Sequence, residues 1–253
     1  IALEKAGVMR PFKTCIYAQE KPPAALLKYA KNKSVNLLIH NNDYRVNLGS
    51  SNWSLKSKHN SINEIPNLKM IGDYQYNYAA ASLLALDAIL PECLEDHDII
   101  KKALSETEIS GRFQYLSKSP DIILDVAHNE DAARSLSDNI KKIGYDQIIV
   151  VLGVLADKDV YSIVEPFSSL VDHWYIGTIN SERGMNSDEI KFRINSIYKN
   201  KLSIGTYASV TSAFNAAKYD QIKDSLLLVY GSFYTVSEVL KAHLLEHKKG
   251  NAI

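Results

Sequence analysis

From about residue 109 onward, the apolar positions of this chain alternate between two signatures. The first is the short, nearly unbroken apolar run, seen at 122–127, 147–153, 173–177, 202–205 and 225–230. Runs of that length without polar alternation describe strands buried on both faces. The second is helical spacing between those runs. Ala133, Leu136, Ile140 and Ile143 share one face, as do Val160, Ile163, Val164 and Phe167 within 160–170. Ala213, Phe214 and Ala217 do the same within 210–219, and further helices are expected at 187–198 and 235–247. Local signals punctuate the first helix: Asn129 as cap, Glu130 and Asp131 in its first turn, Lys141 and Lys142 in its last, Gly144 as its stop. Strand and helix alternating at these lengths predict a mostly parallel sheet covered on both faces. Residues 113–116, joined to the 122–127 strand through a Ser-Lys-Ser turn, are its expected antiparallel member.

The first hundred residues are less regular. A helix end broken by Gly7 and Pro11 leads to a short strand at 14–18. Pro22 and Pro23 open a helix, and a strand follows at 35–40. Between 41 and 67 the pattern loosens into loops and edge strands, with strand-like pieces at 44–48 and 53–55. Asn77 is expected to start a helix running from Tyr78 to Leu90, apolar almost all round and hence buried. A shorter helix at 98–104 and a polar stretch at 105–109 suggest a linker, giving domains at 1–108 and 109–253.

Composition narrows the function classes. A length of 253 residues with 46% hydrophobic and 23% charged positions is that of a soluble globular chain large enough for two cores. Lys plus Arg equals Asp plus Glu at 29 each, so no global field favours nucleic acid. No apolar run reaches the ~18 residues needed for a bilayer and no signal peptide is visible. Cys15 and Cys93 are too few for a disulfide framework or a cysteine-built metal site, which fits a reducing cytoplasm.

Ligands of open parallel sheets bind beyond the carboxyl ends of the strands. Asp125 and His128 stand at that end of the 122–127 strand, and Ser232 at that end of the 225–230 strand. The competing readings are an aspartate that closes a loop or caps a helix and a structurally satisfied histidine. None of the 11 glycines builds a Gly-x4-Gly-Lys-Ser/Thr phosphate loop or a Gly-x-Gly-x-x-Gly turn. The chain begins at Ile1, inside a motif, and is expected to be part of a longer protein.

Five stretches, in order, carry a resemblance: Leu3-Glu-Lys-Ala-Gly-Val-Met-Arg-Pro11, Ser110-Gly-Arg-Phe-Gln114, Asp125-Val-Ala-His-Asn129, Val151-Leu-Gly-Val-Leu-Ala-Asp-Lys-Asp159 and Tyr230-Gly-Ser-Phe-Tyr-Thr-Val236. In these the chain resembles the folylpolyglutamate synthase and dihydrofolate synthase family of the Mur-ligase superfamily, over essentially its whole length. The resemblance implies an α/β fold: the tail of a Mur-type ATPase domain, then a mostly parallel, Rossmann-like carboxyl-terminal domain. It implies ATP and Mg2+ as cofactors, folate or dihydropteroate and L-glutamate as partners, and a monomer in the cytoplasm. ATP phosphorylates a carboxylate, and the glutamate amine attacks the acyl phosphate.

By the same resemblance Lys5 is catalytic, carbamylated and a magnesium ligand. Asn77, Arg112 and Asp125 contact the nucleotide, Arg112 at its phosphates and Asp125 at its ribose. His128 and Ser232 meet the incoming glutamate, with His128 also catalytic. Lys158 and Asp159 match Asp-Lys-Asp in relatives, with a helix-start charge cluster as the competing reading, and Arg183 in the loop before Gly184 is a further candidate to meet substrate. Two departures stand out: Tyr76-Asn-Tyr-Ala79 where relatives often have Pro-Asn-Ala-Ala, and Tyr234 where they often have histidine. Without a phosphate loop, the chain by itself is expected to be inactive. A non-catalytic nucleotide- or glutamate-binding module, or another Mur-type amide ligase, is the alternative.

Overall fold

The structure is a computed structural model that describes residues 2–250 other than His59 and Asn200, with the backbone alone for 246–250. The chain divides into two compact units, Ile1–Glu108 and Ile109–Ile253.

In the first unit, helix α1 (Ala2–Ala6) precedes a parallel pair, β1 (Thr14–Tyr17) and β2 (Asn36–Ile39), joined by α2 (Ala24–Asn32). Helix α2 begins behind Pro23 and buries Leu26 and Ala30 with Ala6 and Met9. An antiparallel meander of β3 (Tyr44–Leu48), β4 (Asn52–Ser57) and β5 (Ser61–Pro66) follows. One face of it, carrying Tyr44, Trp53, Leu55, Ile62 and Ile65, packs with Ala80, Leu83 and Leu84 of α3 (Asp73–Ile89). A 3₁₀ turn (Pro91–Leu94) and α4 (His97–Glu106) complete the unit, and Asp96 caps α4 by accepting from the Ile99 N–H at 3.0 Å.

Three expectations for this unit need correction. Strand β5 was not legible, because its inward residues Ile62 and Ile65 are three apart rather than two. A register shift between Trp53 and Leu55 and a positive φ of 54° at Glu64 absorb the extra residue. Helix α3 starts at Asp73, so Asn77 lies within its second turn and is not its cap. The helix also buries only one side, leaving Tyr78 51% and Ile89 75% exposed.

His40, at the end of β2, is only 8% exposed, and neither ring nitrogen has a hydrogen-bond partner. Burial holds its pKa below the ordinary histidine value, opposed by the Glu20 carboxylate. The unfolded chain therefore binds the proton more readily than the native one, and stability is lost as pH falls below about 6.5. Relative to the intrinsic rate, which itself slows over this range, hydrogen exchange of the β3–β4 amides should show an excess acceleration between pH 7 and pH 5. His40→Phe should remove the excess; the same acceleration in that variant would exclude His40 as its source.

The second unit is a six-stranded sheet. Its elements are β6 (Gln114–Lys118), β7 (Asp121–Leu124), α5 (Glu130–Ile143), β8 (Ile148–Leu152), α6 (Val160–Val164), β9 (His173–Gly177), α7 (Ser187–Tyr198), β10 (Ile204–Tyr207), α8 (Val210–Asp220), β11 (Leu226–Tyr230) and α9 (Phe233–Gly250). Strand order is β10-β9-β8-β11-β7-β6, and only the β6–β7 pair is antiparallel. The mostly parallel α/β architecture expected from the apolar pattern is what the chain adopts.

Strand residues alternate between two cores. Ile123, Val150, Trp174 and Leu228 pack under α5, α6 and α7, while Leu124, Val151, Tyr175 and Val229 pack under α8 and α9. Because both faces are covered, β8 and β11 are buried at every position. The helix expected over 160–170 ends at Val164 and continues as a 3₁₀ turn at Glu165–Phe167, where Pro166 removes a donor. The strand expected over 122–127 ends at Leu124, although burial persists through Ala127. Last in sequence, β11 is inserted between β7 and β8, and that insertion builds the site.

Candidate functional site

At the carboxyl edge of this sheet, the loop after β7 lies alongside the loop after β11. The Asp125 N–H donates to the Val229 carbonyl at 2.9 Å and the Gly231 N–H to the Ala127 carbonyl at 3.0 Å. Gly231 has φ +116°, and a Cβ there would stand 2.4 Å from the Gly153 carbonyl oxygen at the end of β8. Only glycine fits where three strand ends meet so closely.

Asp125 is 4% exposed. Its Oδ2 accepts from the Phe113 N–H and its Oδ1 from the Ala127 N–H, each at 2.8 Å. The carboxylate thus ties the segment before β6 to the loop after β7. A second tie, from the Val126 N–H to the Gly111 carbonyl at 2.8 Å, runs beside it. Burial pushes the Asp125 carboxyl up, against the lowering effect of those two N–H groups, Arg112 and His128. Each oxygen keeps one lone pair for a ligand, but its first task is to clamp this segment.

The His128 Nδ1 lies 2.8 Å from the Val126 carbonyl, which can only accept, so Nδ1 carries the proton and Nε2 is left as an acceptor. Its ring is 6.0 Å from that of Phe233, and the Arg112 guanidinium stands 6.0 Å over the same Phe233 ring. Phe233 is thus shared by a cation and an imidazole, each 6.0 Å from its ring.

Helix α9 starts at Phe233, two residues earlier than expected, and this changes the part played by Ser232. The Ser232 Oγ accepts from the Thr235 N–H at 3.0 Å and lies 2.8 Å from the Thr235 Oγ1. The Thr235 hydroxyl donates to the Gly153 carbonyl at 2.9 Å. Ser232 is 1% exposed, so its hydroxyl is a buried cap within a chain of bonds running to β8. What faces outward at this helix end is the first-turn backbone N–H groups of Phe233 and Tyr234, which have no acceptor inside the helix. The Ser232-x-x-Thr235 spacing was the sequence signal for that earlier start.

Arg112, Asp125, His128 and Ser232 thus converge on one edge of the second unit. Farther along that edge the Asp157 carboxylate lies between the Lys158 ammonium at 2.8 Å and the Arg183 guanidinium at 3.3 Å. The hydrogen bond from Lys158 does most to hold its pKa below the usual carboxylate range, with Arg183 assisting. Asp159 caps α6 by accepting from the Tyr161 N–H at 3.1 Å. Lys5 and Asn77 belong to the first unit. Asn77 is half-buried on α3, and Lys5 is 74% exposed on the five-residue α1, 3.9 Å from the Glu4 carboxylate. Among the described residues no three His, Cys, Asp or Glu side chains converge as a metal site. These residues by themselves do not make a magnesium site; a carbamate on Lys5 would supply one arm of one. No described helix is long and apolar enough to cross a membrane.

Residues 111–233 match the family model described as Mur ligase, glutamate ligase domain. The second unit, with its mostly parallel sheet, has the fold of such a domain. Over nearly its whole length the chain is similar to proteins named dihydrofolate synthase/folylpolyglutamate synthase. It is 30% identical over 242 residues to a dihydrofolate synthase/folylpolyglutamate synthase of Escherichia coli, covering 95% of this chain and 54% of that protein. To the like-named protein of Buchnera aphidicola subsp. Schizaphis graminum it is 32% identical over 248 residues, covering 95% and 55%. The structure of E. coli FolC in complex with DHPP and ADP superposes with a TM-score of 0.85 at 28% identity, over 98% of this chain and 56% of that one. A bifunctional folylpolyglutamate synthase/dihydrofolate synthase with Mn, AMPPNP and L-glutamate bound gives 0.83 at 26% identity, over 95% and 56%. The chain spans about half the length of these relatives.

Proposed function

We propose that this chain is part of an ATP-dependent carboxylate–amine ligase that adds L-glutamate to dihydropteroate, to folyl(poly)glutamate, or to both, through an acyl phosphate. One observation carries the reading: a match over 95% of the chain to proteins named for these two activities, with the second unit matching a glutamate ligase domain. The relatives' bound ADP, AMPPNP and L-glutamate support ATP and glutamate as ligands here. Residues 1–108 are the later part of the Mur-type ATPase domain in this reading, and 109–253 the ligase domain.

Within the second unit the geometry supports the following division of labour. Arg112 presents a planar cationic fork to phosphate oxygens. The Nε2 of His128, an acceptor beside the outward N–H groups of α9, is suited to hold an ammonium while those N–H groups meet a carboxylate, the two charges of an amino acid. Asp125 and Ser232 hold the two loops in register. Lys5 as a carbamate and Asn77 would serve the nucleotide side from the first unit, with magnesium supplying charge neutralisation when bound.

The test uses the full-length protein that contains this sequence. ADP release should require ATP, L-glutamate and either dihydropteroate or a folate together. The isolated 253-residue chain, lacking a phosphate loop, should release none. His128→Ala should raise the KM for glutamate by about 10- to 100-fold and leave that for ATP nearly unchanged. ADP release that ignores glutamate would refute the ligase reading, and an equal rise in both KM values would refute the role given to His128.

A further inference from the structure

In the first unit the parallel pair β1–β2 is covered on both faces. Cys15, Tyr17 and Leu37 turn toward α1 and α2, where Ala6, Met9, Leu26 and Ala30 are buried. Ile16 and Leu38 alternate with them and pack against the core to which α3 contributes Leu83 and Leu84. Parallel strands enclosed in this way are ordinarily buried throughout, as β8 and β11 are. Yet no position of β1 or β2 is fully buried. Helices on both faces thus enclose a sheet of only two strands, and a pair alone is marginally stable.

The two edges of that pair differ. The Asn36 N–H donates to the Lys13 carbonyl at 3.0 Å and the His40 N–H to the Tyr17 carbonyl at 3.1 Å. With Thr14 opposite Asn36 and Ile16 opposite Leu38, Cys15 and Tyr17 turn their backbone groups to β2, and Thr14 and Ile16 turn theirs away from it. Among the described residues β1 has no other strand beside it. The outer edge of β2 is closed by its own turn. There the Ile39 N–H donates to the Asp43 carboxylate at 2.8 Å, and the Ile39 carbonyl accepts from the Asp43 N–H at 2.9 Å. The open edge of β1 is a template for a further strand.

Handedness says which strand fits. β1, α2 and β2 form a crossover between parallel strands, and such crossovers are right-handed in about 98% of cases. Helix α1 lies on the same face of the pair as α2. A strand that leads through α1 into β1 by a second right-handed crossover must then lie beside β1 on the side away from β2, which is the open edge. We propose that this edge receives a parallel strand from the sequence that runs ahead of α1 in the longer protein. That strand is apolar on both of its faces, because helices already stand above and below its place. The proposal rests on the reading above only in taking this chain as part of a longer protein. Matches covering 54% and 55% of the relatives leave ample length for such a strand.

Amide exchange in the full-length protein and in the 253-residue chain tests it. No turnover of ATP or glutamate is involved, so failure of the ligase reading leaves the result untouched. In the 253-residue chain Thr14 and Ile16 should exchange about 100-fold or more faster than Cys15 and Tyr17, whose N–H groups face β2. In the full-length protein all four should be protected alike. Ile16→Pro removes an outward donor, and Ile16→Ala controls for the lost side chain. Relative to alanine, proline should lower the denaturant midpoint far more in the full-length protein than in the shorter chain. Thr14 and Ile16 amides that stay unprotected in the full-length protein overturn the proposal. So does protection in the shorter chain that rises with its concentration, which would assign the edge to a second copy.

Discussion

Replacing Asp125 with alanine should destabilise the second unit by about 2–6 kcal/mol, because two buried N–H groups lose their acceptor at about 1–3 kcal/mol each. Those donors belong to Phe113 and Ala127, one twelve residues before Asp125 and the other two residues after it, so the loss is not confined to one turn. Amide exchange at both positions should rise together, along with that of Val126, whose bond to Gly111 runs beside the clamp. In the full-length protein both Arg112 and the imidazole of His128 would lose their support, so under the proposed function ATP and glutamate should both bind more weakly. Unchanged protection at Phe113 and Ala127 would show that the carboxylate is not the clamp, and would return Asp125 to the simpler role of a ribose contact.

Gly231→Ala should cost about 3 kcal/mol or more, combining an unfavourable backbone region with a collision against main-chain atoms. The residue sits at φ +116°, and its new Cβ would lie 2.4 Å from the Gly153 oxygen and 2.8 Å from the Leu152 Cδ1. Neither neighbour can yield cheaply, since one is backbone and the other is buried in the core. Gly144 provides the internal comparison. It also has positive φ, +77°, but nothing lies within 4 Å of its hypothetical Cβ. Gly144→Ala should therefore cost only about 1–2 kcal/mol, the price of left-handed backbone alone. Denaturant midpoints of the two variants measure the contrast, and equal losses would mean that the close approach of the three strand ends contributes nothing.

Much of the second unit was legible because its determinants are local. The buried strands show as unbroken apolar runs, and α5 is bounded by Asn129 and Gly144, which cap it in the structure by the interactions their types allow. The same locality explains the errors. Pro166 cut a helix short through a bond that a periodic pattern does not register, and the three-residue spacing of Ile62 and Ile65 concealed β5. In α9, reading Thr235 as the first helical residue hid the Ser232-x-x-Thr235 cap, and with it the fact that the Ser232 hydroxyl is already spent inside the fold.

By itself, then, the sequence determined the class of fold, the order of its elements and the residues standing at strand ends, since periodicity, capping and turn chemistry act over a few residues at a time. Only the tertiary structure decided that β11 enters between β7 and β8, bringing residues more than a hundred positions apart into one site. It alone decided that Asp125 and Ser232 are buried and bonded whereas His128 keeps a free acceptor nitrogen, and that Arg45 faces Lys56 across a ladder. The physical reason is the same in each case: strand order, burial and cross-strand register are settled by which distant surfaces pack together, and one chain's residue order does not encode them one segment at a time.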